Sequence, residues 1–125
     1  MSSFFGNLFG KSKRTTTQAE MLLEKLIDRE RADQKQQLSA ESPTRCDLCP
    51  KSFSAERFFV DGEVKGTPQI PVPDGTSMGQ WANMCPECFQ ARGVGVVWGA
   101  GQLYERMPNG TWLMLAGFAP QKNDA

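Results

Sequence analysis

The sequence predicts a small α+β domain, two short β-hairpins and a short helix gathered around four cysteines, preceded by one amphipathic N-terminal helix. Three observations carry this reading. The cysteines fall in two Cys-x-x-Cys pairs, Cys46–Cys49 and Cys85–Cys88, with residues 50–84 between them. Short β-prone runs alternate with turn residues after the first pair. Finally, hydrophobic residues make up 39% of 125, with 12 Gly and 8 Pro, so the chain reaches the roughly 45–50% apolar content of an ordinary domain only by counting glycine, which has no side chain to bury. A core this lean needs a cross-link. The length suits one domain, and no apolar run is long enough to cross a membrane. Fourteen basic residues balance 14 acidic ones, so no net field draws the chain onto nucleic acid.

Taken in order, residues 1–15 place Phe4, Phe5, Leu8 and Phe9 ahead of Lys11, Lys13 and Arg14. Charge after the apolar residues is the reverse of a secretory signal, so a reducing cytoplasm is expected. Thr17 and Glu20 form a capping-box pattern and predict a helix from about Gln18 to about Gln36. Ala19, Leu22, Leu23 and Leu26 share one face, with Ile27 on its flank, until Glu30 and Asp33 interrupt the stripe. Two apolar turns cannot hold an isolated helix in water. It must pack on its own domain, on a second copy or on a partner. Ser39–Pro43 reads as a linker and favours the last two. Residues 1–44 are therefore expected to be an arm separable from a domain at 45–117, with 118–125 a flexible tail.

Within that domain, Asp61-Gly62 between Arg57–Val60 and Glu63–Lys65 predicts a tight hairpin. Residues 67–79, with Pro68, Pro71 and Pro73, predict a solvent-facing loop. Gln80–Met84 should run extended into the second cysteine pair. Pro86 suits the first turn of a helix, expected to reach Arg92 and to end at Gly93. The run Gly93–Gly101 departs from the dinucleotide fingerprint at Trp98, and no Gly-Lys-Ser/Thr follows, so it reads as a turn-rich crossover. Leu103–Arg106 and Thr111–Leu115 flank Met107-Pro-Asn-Gly110, a second hairpin with Gly110 in the left-handed position. Knuckle, hairpin, then two cysteines at a helix start is the order of a treble clef, with a zinc ribbon as the alternative.

The cysteine spacing carries the chemistry. In a reducing compartment, paired Cys-x-x-Cys motifs point to metal. A two-residue spacer aims both thiolates of a turn at one ion, and two such turns complete a tetrahedron. One structural Zn2+ on Cys46, Cys49, Cys85 and Cys88 is expected, against redox disulfides or a rubredoxin-like iron. Cys46-Asp-Leu-Cys49 also looks like the start of a Cys2His2 finger, but the chain has no histidine. Four thiolates close the zinc shell against water and substrate, and no imidazole base exists, so catalysis is not expected. Asp61, Glu63, Asp74 and Glu87 read as solvated carboxylates. Residues 46–100 carry Lys51, Arg57, Lys65 and Arg92 against Asp47, Glu56, Asp61, Glu63, Asp74 and Glu87. An acidic finger weakens the nucleic-acid reading, which needs clustered cations. Its best support is the basic arm (Lys11, Lys13, Arg14) with Trp81, Trp98 and Tyr104 as stacking candidates. Core packing is the expected role of those aromatics, because a small domain needs its large side chains inside.

Trp81-Ala-Asn-Met-Cys85-Pro-Glu-Cys88, followed by the glycine run and Gln102-Leu-Tyr104, resembles small four-cysteine zinc-binding proteins encoded by bacteriophages. The resemblance covers residues 45–117. It implies a zinc-binding protein acting in the cytoplasm of an infected bacterium and brings no catalytic residue with it. The Pro-rich loop at 67–79, Val96-Val97-Trp98 and the N-terminal helix depart from the pattern. Together these readings predict a zinc-stabilised protein-interaction module. It would engage a host or viral protein through Leu22, Leu23 and Leu26 or through the finger surface, with nucleic-acid binding as the alternative and homo-oligomers open.

Overall fold

The computed structural model describes residues 16–32, 43–65 and 80–120. The N-terminal aromatic and basic segment, the linker up to Ser42 and the Pro-rich loop lie outside the described residues.

Helix α1 (Gln18–Lys25) begins where the capping box places it. The Thr17 hydroxyl accepts from the Glu20 N–H at 3.1 Å, and the Glu20 carboxylate accepts from the Thr17 N–H at 3.3 Å. It does not continue to Gln36. Leu26 closes it with a bond to the Leu23 carbonyl, and a separate short helix α2 (Arg29–Ala32) follows. Asp28 causes the break. Its carboxylate caps the Arg31 N–H at 3.3 Å, and its own N–H reaches the Leu115 carbonyl at 2.9 Å. A side chain that caps a new helix competes with continuation of the old one.

Strands β1 (Phe58–Glu63), β2 (Trp81–Met84), β3 (Gly101–Arg106) and β4 (Trp112–Ala116) form an antiparallel sheet in the order β2-β1-β3-β4. Helix α3 (Pro86–Arg92) follows β2 directly. The expected Asp61-Gly62 hairpin is corrected, because β1 runs straight through both residues. Asp61 pairs with Asn83 on one side and Gln102 on the other. Gly62 serves close strand approach instead of a turn: a Cβ there would sit 2.7 Å from the Ala100 carbonyl oxygen. The second hairpin forms as expected, with Gly110 at φ +90° and the Met107 N–H bonded to Thr111. The glycine run is a crossover that meets the end of β1, where Glu63 bonds to Ala100 and Val94 bonds back to Glu63.

Alternation along the strands gives the sheet two apolar faces. Phe58, Val60 and Val64 pack with Met84, Phe89, Leu103, Leu115 and Leu23. On the other face Phe59 packs with Phe53, Trp112, Cys46 and Cys85. Phe59 meets Trp112 edge-on at 4.7 Å between centroids and stacks on Tyr104 at 5.0 Å.

This arrangement settles where α1 sits. Leu23 is 0% exposed within the first of these clusters, beside buried Ala19. Arg57 ties the helix to the sheet through Glu24 and Glu105, each at 2.7 Å. For Leu23 the expectation of a helix that docks elsewhere is therefore corrected. Helix α1 packs on its own domain, chiefly against α3, and of the expected contact residues only Leu22 and Leu26, each 36% exposed, face outward. Nor does order stop at residue 117, since the Arg31 guanidinium lies 5.0 Å from the centre of the Phe118 ring. Residues 121–125 of the expected tail lie outside the described residues.

Candidate metal centre

The first cysteine pair sits in a tight loop closed at its base by local bonds. The Cys46 N–H donates to Lys51 at 2.9 Å and the Phe53 N–H to Thr44 at 2.9 Å. Phe53, fully buried, anchors this loop on the sheet, and Arg106 holds the carbonyls of Phe53 and Glu56. The Cys46 sulfur accepts from the N–H groups of Leu48 and Cys85, each at 3.4 Å. Asp47 fastens the loop to β2. Its N–H donates to the Asn83 carbonyl at 2.9 Å, and its carboxylate accepts from the Asn83 N–H at 2.8 Å. One residue thus occupies edge-strand groups that would otherwise be open to pairing with another chain.

The second pair is placed by the helix that the sequence predicts. Cys85 is the N-cap of α3 in extended geometry, Pro86 starts the helix and Gly93 ends it. A side chain at Gly93 would collide with the Phe89 ring, its Cβ falling 2.2 Å from Cδ1. Cys85 and Cys88 therefore lie on the first turn, where the helix dipole favours thiolate over thiol.

The four sulfurs meet. Sγ of Cys46, Cys49, Cys85 and Cys88 all lie within 4.8 Å of one another, and Cys49 and Cys85 are 3.9 Å apart. A tetrahedral zinc site with bonds of about 2.3 Å has sulfur–sulfur edges of about 3.8 Å, so the cluster fits such an ion. All four are free cysteines, Cys46 and Cys85 buried and the other two half-buried. Leu48 and Cys88 touch both apolar clusters, which puts the site where the two cores join at one end of the sheet.

Electrostatics separate Cys46 from the pair Cys85 and Cys88. Burial pushes Cys85 up to about 11, and burial followed by its neighbouring thiols pushes Cys88 up as well. Burial acts the same way on Cys46, but the backbone N–H groups of Cys85, Leu48 and Cys49 outweigh it and lower that thiol. A bound dication overrides such differences by deprotonating its thiol ligands outright. Beside the sulfurs, the Lys51 ammonium lies 2.8 Å from the Glu87 carboxylate and 3.5 Å from Glu56. Glu87 itself stands between the two cysteines of the second pair.

No known family, curated protein or solved structure matches the chain. The four predicted metal ligands come together; other predicted residues divide. Tyr104 packs against Phe59, whereas Trp81 (45% exposed) and Trp98 (59%) face outward, which corrects the expectation that all three fill the core. The glycine crossover cannot bury Trp98 because it passes the sheet's end instead of covering a face. Asp61 is half-buried in β1, not a solvated carboxylate, because the strand pairs on both sides there. Lys11, Lys13, Arg14 and Asp74 lie outside the described residues. Asp47, Lys51 and Glu87 are the site residues that sequence reasoning missed. Their only sequence signal is position beside or between the cysteines. Among the described residues, no helix is long and apolar enough to cross a membrane.

Proposed function

We propose that the chain is a non-enzymatic protein-interaction module whose fold is fastened by one structural Zn2+ on Cys46, Cys49, Cys85 and Cys88. The observation that carries the metal reading is the meeting of four free thiols at tetrahedral spacing. A knuckle, an antiparallel strand pair and a helix with two cysteines in its first turn support a treble-clef arrangement. Four sulfur ligands leave zinc no open coordination position, which supports a structural rather than catalytic ion.

Exposed apolar side chains support the interaction reading. Val94, Val97 and Trp98 project from the crossover, and Trp81 lies opposite Glu63, the residue that the crossover meets. Trp81 and Val94 thus flank the same residue at the end of β1. Exposed apolar side chains brought together on a small domain mark a contact site. The resemblance to phage proteins supports a host or viral protein, inside a bacterial cell, as the partner class. The test is capture from bacterial lysate by zinc-loaded protein and by a Trp98→Ala, Val97→Ser variant. Loss of the captured protein with unchanged zinc content supports the reading, and equal capture by both proteins refutes this surface.

The two exposed tryptophans also favour a second reading, base stacking on single-stranded nucleic acid. A salt titration separates them. Nucleic-acid binding should fall steeply with salt, while no binding at low salt leaves the protein-interaction reading.

A further inference from the structure

We propose that Lys51 is the charge-compensating residue that sets how long the metal stays in the four-cysteine site, an inference that rests on the zinc reading above. Four thiolates around a dication leave an excess charge of about −2 at the site. The Glu87 carboxylate adds to it. Glu87 stands between Cys85 and Cys88 in the first turn of α3, so its carboxylate is a further anion beside the thiolates. Such crowding of like charges is unfavourable unless a cation stands among them.

Lys51 is that cation. Its ammonium is 2.8 Å from Glu87, the residue between the second pair of cysteines, and 3.5 Å from the buried carboxylate of Glu56. Its backbone is equally fixed, because the Lys51 carbonyl accepts the Cys46 N–H that closes the first knuckle. The Lys51–Glu87 pair therefore also joins the two halves of the site, one side chain from each cysteine turn. Among the described residues, the other ion pairs are those of Arg57 with Glu24 and Glu105, on the sheet and helix α1. With Lys51 in place, the thiolates are less basic and less open to protonation or electrophilic attack, the steps by which a sulfur ligand leaves zinc.

The experiment uses the full chain loaded with zinc and follows transfer of the ion to an excess of a chromogenic chelator. Lys51→Met should release zinc about two- to fivefold faster, the upper part of the range of a partly exposed ion pair. Lys51→Arg should stay within about twofold of the wild type, because it keeps the charge. The wild-type rate should rise between about 10 mM and about 1 M salt, where screening shortens from about 30 to about 3 Å, and the Lys51→Met rate should rise less. That difference separates charge compensation from loss of packing, which salt does not touch. Equal rates for Lys51→Met and wild type, or a wild-type rate indifferent to salt, would overturn the proposal while leaving the zinc reading intact. A purified chain that takes up no zinc would overturn both.

Discussion

Replacing Leu23 with alanine tests whether helix α1 belongs to the domain. Leu23 is 0% exposed and packs in the cluster that contains Phe58, Val60 and Leu115. Removing a buried leucine side chain costs about 2–5 kcal/mol, the spread reflecting how far the cavity collapses. Here collapse is restrained, because Arg57 pins the helix to the sheet and Asp28 pins the following turn to β4. The upper half of that range is therefore expected. At about 4–8 °C per kcal/mol for a domain of this size, the melting temperature should fall by about 15–40 °C. Leu22→Ala is the control. That neighbour is 36% exposed, and its loss should cost about 1 kcal/mol or less. Both variants should be melted fully zinc-loaded, with near-ultraviolet dichroism as the probe, since Phe53, Phe59 and Trp112 report on the sheet. If Leu23→Ala melts with Leu22→Ala and the wild type, α1 is an independent arm and the packing argument is wrong.

Gly62→Ala should destabilise the protein by about 1–3 kcal/mol, because the added methyl meets the Ala100 carbonyl oxygen at 2.7 Å and the Gly101 Cα of the neighbouring strand at 2.8 Å. Gly110→Asn, at φ +90° with open space around it, should cost about 1 kcal/mol or less, since asparagine tolerates that region; urea melts of the pair compare crowding with turn geometry. Burial first, and then Asp47, push the Asp61 carboxyl above its ordinary range. The folded state thus holds this proton more tightly than the unfolded state, so ionised Asp61 costs stability, and the cost fades as pH falls below the folded value. Asp61→Asn should stabilise the protein at neutral pH, with an advantage lost as pH falls through the raised folded value; an advantage still undiminished at pH 3.8, the ordinary carboxyl value, would contradict the assignment.

Much of the site was legible because its determinants are local. Cysteine spacing, Pro86 and Gly93 act within one or two turns, and they located all four clustered cysteines and the helix that presents two of them. The Thr17–Glu20 box and the Pro108–Gly110 turn are equally short-range, and both formed as read. Errors came where tertiary contacts decide. Asp61-Gly62 has the composition of a turn, yet Gly62 is needed where strands approach closely, and nothing in the neighbouring residues separates those uses. Asp28 breaks the helix by capping a new one and bonding to Leu115, a contact from a distant strand that the apolar stripe around it does not reveal. The face of α1 announced that something must cover it without saying what, and the cover proved to be the domain's own helix α3 beside the sheet. Trp98 and Val97 stay exposed while Val96 between the glycines packs on the core, a division that no periodicity reveals.

The central claim is that the four cysteines bind one metal ion on which folding depends. Structural zinc contributes about 10–16 kcal/mol in small domains at neutral pH, which matches or exceeds the whole net stability of about 5–15 kcal/mol typical of a folded domain. The most direct measurement is elemental analysis of the purified chain beside near-ultraviolet dichroism before and after metal removal, repeated for Cys85→Ser. The account predicts one zinc per chain and loss of the aromatic signal with the metal. It further predicts recovery of that signal on adding zinc back, and neither zinc nor a folded signal in the variant. A metal-free chain that keeps its aromatic dichroism and melts cooperatively at the same temperature would contradict it.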